Sequence, residues 1–259
     1  MAIPAYNEAG GIAEFLLEID QALAQSTRLR FVVVDDASTD GTISALEGIR
    51  RELRGDLELI SNPTNSGHGP SLMEAYRRAL AGTPDFVLQV DGDGQFHGSD
   101  LRRVLVLLVD GSRAVGGVRR FRQDPWFRMR MTRLVRRYVQ WGFSVGARDP
   151  NCPLRGYEAG LLRSLLPVLP TACLVPNLYL TIIAFRRGVP LLEVDVSHRV
   201  RRGESFEGVT WGRGAWSPVP LRLVRFSLLA LYESVKFRRG LSSSVPAHKS
   251  KGGSPLGRR

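Results

Sequence analysis

The hydrophobic pattern of the first 118 residues changes period at regular intervals. In IAEFLLEIDQAL the apolar positions Ile12, Phe15, Leu16, Ile19 and Leu23 recur at the spacing of one buried helix face. RFVVVDD is a short β-branched run, too short for a helix, and predicts a buried strand. DGTISALEGIRREL predicts a helix with Asp40 or Thr42 as its cap. LELI then predicts a strand, GPSLMEAYRRALAG a helix stopped at Gly82, and DFVLQV another strand. SDLRRVLVLLVDG predicts a helix capped by Ser99 or Asp100 and ended at Gly111, followed by a strand at AVGGV. Strands alternating with helices at this spacing predict an α/β fold with a mostly parallel sheet and helices on both faces.

The regularity stops near residue 118. The next stretch, to about residue 145, mixes Arg with Trp126, Phe127, Met129, Met131, Leu134, Tyr138 and Trp141. DPNCPLRGY reads as a loop, EAGLLRSLL and NLYLTIIAFRRG as helices, and LLEVDVSHR as a strand. A Gly-punctuated loop, VRRGESFEGVTWGRG, precedes a last helix, LRLVRFSLLALYESVKFRRG. From Leu241 the chain is Ser-, Gly- and Pro-rich and basic, which predicts a disordered tail over 241–259.

Charge changes the picture more than composition does. Thirty-six Lys and Arg against 25 Asp and Glu give a net charge of +11, a surface that attracts nucleic acid, an anionic membrane face or phosphorylated substrates. Arg outnumbers Lys, which favours planar phosphate recognition, although a GC-rich genome produces the same bias. Cys152 and Cys173 have no metal-ligand spacing and read as two buried thiols. The opening MAIPAYNEAGG has no basic or apolar leader region, and no run of about 18 uncharged apolar residues exists, so neither a secretory signal nor a spanning helix is expected.

The candidate chemistry sits in VLQVDGDGQFHGSD. Asp91 and Asp93 end one predicted strand, and Asp35 and Asp36 end another. In open parallel sheets ligands bind beyond the carboxyl ends of the strands, so the two clusters can share a cleft. Asp91, Asp93 and the amide oxygen of Gln95 are hard oxygen donors suited to Mg²⁺ or Mn²⁺, a cation that commonly neutralises a departing diphosphate. The plainer alternative is a solvated turn. An EF-hand is excluded, because Phe96 stands where Gly is required and Arg102 where a bidentate Glu is required. His68, His97, His198 and His248 are scattered and read as surface or hydrogen-bonded groups, with His97 the one nearest the motif.

The ordered set IPAYNEAGGI, VVVDDASTDGT, NPTNSGHGPSLMEA and LQVDGDGQF resembles glycosyltransferase family 2, the inverting nucleotide-sugar transferases of the GT-A fold. Within it the likeness is to the dolichol-phosphate mannosyltransferase-like polyprenyl-phosphate sugar synthases, supported by RDPNCPLRGYEAGLL and VSHRVRRGESF. The resemblance implies one GT-A-type, Rossmann-like domain over 1–240, with a nucleotide-binding half at about 1–118 and an acceptor-binding half at about 119–240. It implies that Pro4, Ala5, Tyr6 and Glu8 line the base and ribose end of the nucleotide pocket, that Asp36 contacts base or ribose, and that Asn65 and Gly67 flank the nucleotide. Asp91, Asp93 and Gln95 would hold the metal at the diphosphate of the nucleotide-diphosphate sugar. Arg119 or Arg120, and Arg199 or Arg201, would meet the diphosphate or the acceptor phosphate. The chain departs from the pattern in placing only Met1, Ala2 and Ile3 before Pro4, which predicts either a start assigned late or a stunted central first strand, and in having Phe206 where the branch has Lys.

The acceptor is argued from a missing group. Relatives that glycosylate hydroxyls carry an acidic pair on a later helix, whereas LVPNLYLTIIAF offers Asn177 and Tyr179. A hydroxyl needs help with deprotonation, worth about 10²–10⁴-fold. A phosphate monoester, with a second pKa of about 6, arrives as an anion. This favours a polyprenyl phosphate over a glycan or small-molecule hydroxyl. Asp149 stays a candidate base, with capping of the loop before Pro150 as its alternative role. DPWFRMRMTRLVRRYVQW and LRLVRFSLLALYESVKF have the composition of helices lying on an anionic membrane, or of basic faces on packed helices. The expectation is a peripheral enzyme at the cytoplasmic face of a membrane. A nucleotidyltransferase would want a Lys that NEAGGIAEF lacks, and nucleic-acid binding is suggested by the net charge alone.

Overall fold

The computed structural model describes residues 1–24, 27–120, 126–170, 173–202 and 221–244. Phe206, His248 and the side chains of Trp126, Phe127, Met129 and Met131 lie outside what it describes. Seven strands, β1 (Ala2–Ala5), β2 (Arg30–Asp35), β3 (Asp56–Ser61), β4 (Phe86–Gln89), β5 (Ala114–Arg119), β6 (Arg155–Glu158) and β7 (Leu192–Val196), form one sheet in the order β3-β2-β1-β4-β6-β5-β7. Strands β1 to β4 run parallel, β5 runs parallel to β7, and β6 lies antiparallel between β4 and β5. The described helices are α1 (Ile12–Leu23), α2 (Thr42–Ile49), α3 (His68–Ala79), α4 (Gly98–Val109), α5 (Trp126–Phe143), α6 (Ala159–Leu165), α7 (Pro176–Arg186) and α8 (Leu221–Ser244).

Both sheet faces are covered, as a parallel sheet requires. One core gathers Phe15, Leu16 and Ile19 of α1 and Leu101, Val104 and Leu108 of α4 against Ile3, Phe31 and Val33. The other gathers Leu72 and Tyr76 of α3, Leu162 of α6 and Leu180 and Ile183 of α7 against Ala2, Val32 and Val34. The five apolar positions read from the spacing of α1 are all fully buried.

One expectation holds in part and two are corrected. First, β1 is short, four residues with the single register pair Ala2–Gln89 to β4, yet it fills its place in the sheet. It is buried along its length, pairs with β2 from Ala2–Val32 to Ala5–Asp35, and on its other side Ala2 and Pro4 accept hydrogen bonds from Val90 and Gly92. Second, RGYE is a central strand rather than part of a loop. Its first residue, Arg155, is charged yet only 1% exposed, so no apolar pattern marks it. Third, α8 continues through Ser244, with Leu241 buried in the core, so the helix claims the first residues of the predicted tail. Residues 245–259 lie outside the described residues.

Predicted caps also move. At α2 the cap position falls on Gly41, and Asp40, one residue earlier, accepts from the Thr42 amide at 2.9 Å. At α4, neither Ser99 nor Asp100 is the cap. His97 occupies that position, and the Gly98 amide donates to Glu18 of α1 at 2.7 Å.

Candidate active site

The carboxyl ends of β2, β1 and β4 lie side by side, and each carries a piece of the site. After β1, Asn7 takes a left-handed conformation (φ 52°) and its side-chain oxygen accepts from the Thr39 amide at 2.8 Å. The Asn7, Glu8 and Ala9 amides donate in turn to Ser38, Thr42 and Asp40. The short polar side chains of DDASTDGT therefore stitch the loop after β2 to the loop after β1, which carries Tyr6 and Glu8 and follows Pro4 and Ala5 at the strand's end. Polar groups placed this way take the backbone donors that a loop leaves unpaired.

Asp36 works on the neighbouring loop. Its carboxylate accepts from the Asn62 side chain at 2.8 Å, from the Ser66 amide and hydroxyl at 2.9 and 2.8 Å, and from the Gly67 amide at 2.7 Å. Burial works to raise its pKa, but these donors outweigh it and hold the carboxyl below its ordinary value. Gly67 has φ 94°, a conformation open to glycine, and starts α3. Asn65 is exposed on the same turn.

Asp91 and Asp93 follow β4. The Asp91 Oδ1 atom lies 3.0 Å from His68 Nε2 and accepts from Gln89 Nε2 at 3.0 Å. Asp93 accepts from the Gln95 amide at 3.1 Å, and Gly94 between them has φ 66°. A side chain at Gly94 would meet that of Arg202 at 3.1 Å.

The arginines of the loop after β7 grip this segment. Arg199 donates through its amide to Gln95 O and through Nε to Gly94 O, and Arg202 donates through its amide to Asp93 O. Glu18 collects the guanidinium groups of Arg199 (2.8 Å) and Arg202. Arg201 pairs with Glu8 at 2.5 Å. Arg119, at the end of β5, makes a buried two-point pair with Asp149, at 2.8 and 3.0 Å. Arg120 instead pairs with Asp195 at 2.7 Å. Asp149 also borders a cavity of about 220 Å³ between β5, α7 and the loop after α5, which Asp91 and Asp93 do not line.

The carboxylates at the end of β4 shift the titration of their neighbours. Burial, then the nearby Asp93 and Asp91 carboxylates, push Glu8 up to about 8 against the pull of Arg201. His68, half exposed, loses some solvation that would favour its charged form, yet Asp91, Asp93 and Asp36 outweigh this and raise its pKa. Among the described residues no group of three or more His, Cys, Asp or Glu forms a cage. Two carboxylates this close are hard oxygen donors that fit a divalent cation keeping water and phosphate oxygens as its other ligands, the habit of Mg²⁺.

Glu18, Asn62, Ser66, His68, Gln89 and Arg202 were not read from the sequence as site residues. Glu18 and Gln89 sit within amphipathic or apolar runs, and only the fold brings them to the loops they hold.

The fold is found in known structures. Glucosyl-3-phosphoglycerate synthase from Mycobacterium tuberculosis, in complex with Mn²⁺, uridine-diphosphate-glucose and phosphoglyceric acid, superposes with a TM-score of 0.63 at 20% identity over 92% of this chain and 78% of that one. The same enzyme with Mn²⁺, uridine-diphosphate and phosphoglyceric acid gives 0.64 at 21% identity, over 94% and 78%. In sequence, the chain is similar to undecaprenyl-phosphate 4-deoxy-4-formamido-L-arabinose transferase of Aeromonas hydrophila, 27% identical over 81% of this chain and 62% of that one. The enzyme of the same name from Pseudomonas syringae is 27% identical over 92% of this chain and 66% of its own length. The chain thus spans a little over three fifths of the first relatives it matches. The glycosyl transferase family 2 model matches residues 1–172, more than half of the chain, and the chain belongs to that family.

Proposed function

We propose that the protein is an inverting hexosyltransferase that uses Mg²⁺ or Mn²⁺ to move a sugar from a nucleoside diphosphate onto a polyprenyl phosphate at the cytoplasmic face of a membrane. The observation that carries the reading is that Asp36 follows β2, and Asp91 and Asp93 follow β4, at the carboxyl ends of two parallel strands on either side of β1, beside the Ser66–Gly67 turn. The relatives' names, which specify an undecaprenyl-phosphate acceptor, support the acceptor class.

In this reading Pro4, Ala5, Tyr6 and Glu8 form one wall of the base and ribose pocket. Asp36 shapes the opposite wall by holding the turn at Asn65 and Gly67. Asp91 and Asp93 orient the donor diphosphate, and Gln95 fixes Asp93 through its backbone amide. The bound cation supplies charge neutralisation to the departing diphosphate. Arg199 and Arg201 keep the loop over Asp93 in place. Arg119 and Asp149 hold each other at the start of the acceptor side. A carboxylate in a two-point Arg pair is a poor proton acceptor, which suits an acceptor that arrives as an anion.

The described surface of α8 supports a membrane-facing role. Phe237 and Leu241 pack inward, while Leu228, Leu229, Leu231 and Tyr232 stay exposed. Arg225, Lys236, Arg238 and Arg239 lie among them, as does Trp141, 84% exposed, among the arginines of α5. No described helix is long and apolar enough to cross a membrane.

The test is transfer of radiolabel from a panel of nucleotide sugars to a short polyprenyl phosphate. Label should enter the organic phase with Mn²⁺, disappear with EDTA, and fall at least about 100-fold in Asp93→Asn. Full transfer in EDTA, or in the variant, would overturn the metal role.

A further inference from the structure

Behind Asp91 a line of buried polar groups runs inward along one face of the sheet. Gln89 Nε2 donates to Asp91 Oδ1 at 3.0 Å, Asn177 Nδ2 donates to Gln89 Oε1 at 3.1 Å, and the Tyr76 hydroxyl donates to Asn177 Oδ1 at 3.0 Å. Gln89 and Tyr76 are fully buried, and Asn177 is 3% exposed. They come from three elements, β4, α7 and α3, all packed around one core.

The direction of this line is determined by its outer end. An ionised carboxylate only accepts, so the Gln89 amide must present its NH₂ to Asp91 and its oxygen inward. That oxygen demands the NH₂ of Asn177, whose own oxygen then faces the Tyr76 hydroxyl as donor. Turning either amide over would set two acceptors or two donors face to face in a buried place. On the outer side, the described partners of Asp91, Gln89 and His68, both fall on Oδ1. Among the described residues the other oxygen, Oδ2, accepts no hydrogen bond.

We infer that Gln89, Asn177 and Tyr76 are positioning residues that lock the Asp91 carboxylate by one oxygen so that the other meets the divalent cation. The inference rests on the metal reading above and adds a role for α7. Asn177 occupies the helix where an acidic base would be sought, but its side chain hydrogen-bonds Gln89 and Tyr76 instead. Partners behind a ligand commonly matter to affinity by about 10–100-fold.

The test is Mn²⁺ binding to the full chain in the presence of UDP, read by the electron paramagnetic resonance signal of free Mn²⁺. Asn177→Asp keeps the side-chain volume and the acceptor for Tyr76 but removes the donor to Gln89. Gln89→Leu removes the donor to Asp91. Each should weaken Mn²⁺ binding at least about tenfold. Tyr76→Phe, which leaves Asn177 and Gln89 able to donate outward, should weaken it less. Wild-type affinity in folded Asn177→Asp and Gln89→Leu, with binding lost in Asp91→Asn, would overturn the relay and leave the metal site standing. No Mn²⁺ binding by the wild type would overturn the metal reading and the relay together. If Asn177→Asp fails to fold, Gln89→Leu and Tyr76→Phe decide: affinities equal to wild type in both overturn the relay, and the graded loss upholds it.

Discussion

Glu8 reports the burial and the neighbouring carboxylates of the site in a form that can be titrated. In the unfolded chain its carboxyl ionises near 4.5, whereas in the fold burial and the Asp93 and Asp91 charges push it up to about 8. Between those values the folded state binds the extra proton, so its contribution to stability falls as pH rises from about 4.5 to 8 and levels off above. The metal-free protein should therefore lose thermal stability over this window. The loss should be smaller in Glu8→Gln, and smaller again when Mn²⁺ is added, because a cation at Asp91 and Asp93 removes the repulsion. Parallel pH profiles of melting temperature for the wild type and Glu8→Gln, with and without Mn²⁺, check this. Identical slopes in all four would contradict it. Asp91, Asp93 and Asp36 were legible as candidates because two acidic clusters end two apolar runs. Glu18 and Gln89 were not, since their partners are 80 residues away in Gly98 and 88 in Asn177.

At the scale of elements, the loop and strand around Arg155 show where sequence patterning fails. Arg155 donates to Cys152 O at 2.7 Å, Pro150 O at 2.6 Å, Thr181 Oγ1 at 2.7 Å and the Tyr157 hydroxyl at 3.2 Å. A charged residue at the start of a four-residue central strand breaks the apolar signal, so β6 reads as loop. The helices α1, α3 and α4 were legible because each buries one stripe against a sheet face. Their starts were less so, since at α4 the capping oxygen comes from α1. Arg155→Lys keeps the charge but replaces a planar five-donor fork with one ammonium, which cannot serve all four acceptors. It should cost about 2 kcal/mol or more. At roughly 2–4 °C per kcal/mol for a protein of this size, the melting temperature should fall by about 4–8 °C. A melting temperature within about 1 °C of wild type would show that the fork is not what holds the Asp149 loop.

For the whole molecule, a sheet that is parallel on its nucleotide side and broken by one antiparallel strand divides the chemistry. Asp36, Asp91 and Asp93 belong to the alternating first half, whose α/β order was readable from period alone. Arg119 and Asp149 flank the insertion of β6, which was not. The central claim spans both halves: a cation-bound diphosphate departs on one side, and an acceptor that needs no proton removed attacks from the other. The most direct test offers the enzyme one labelled nucleotide sugar, Mn²⁺, and either a polyprenyl phosphate or the polyprenol of the same chain length. The account predicts labelled product from the phosphate and none above background from the alcohol. Labelling of the alcohol at a comparable rate would contradict it, because a hydroxyl nucleophile requires a base that the Arg119–Asp149 pair does not offer.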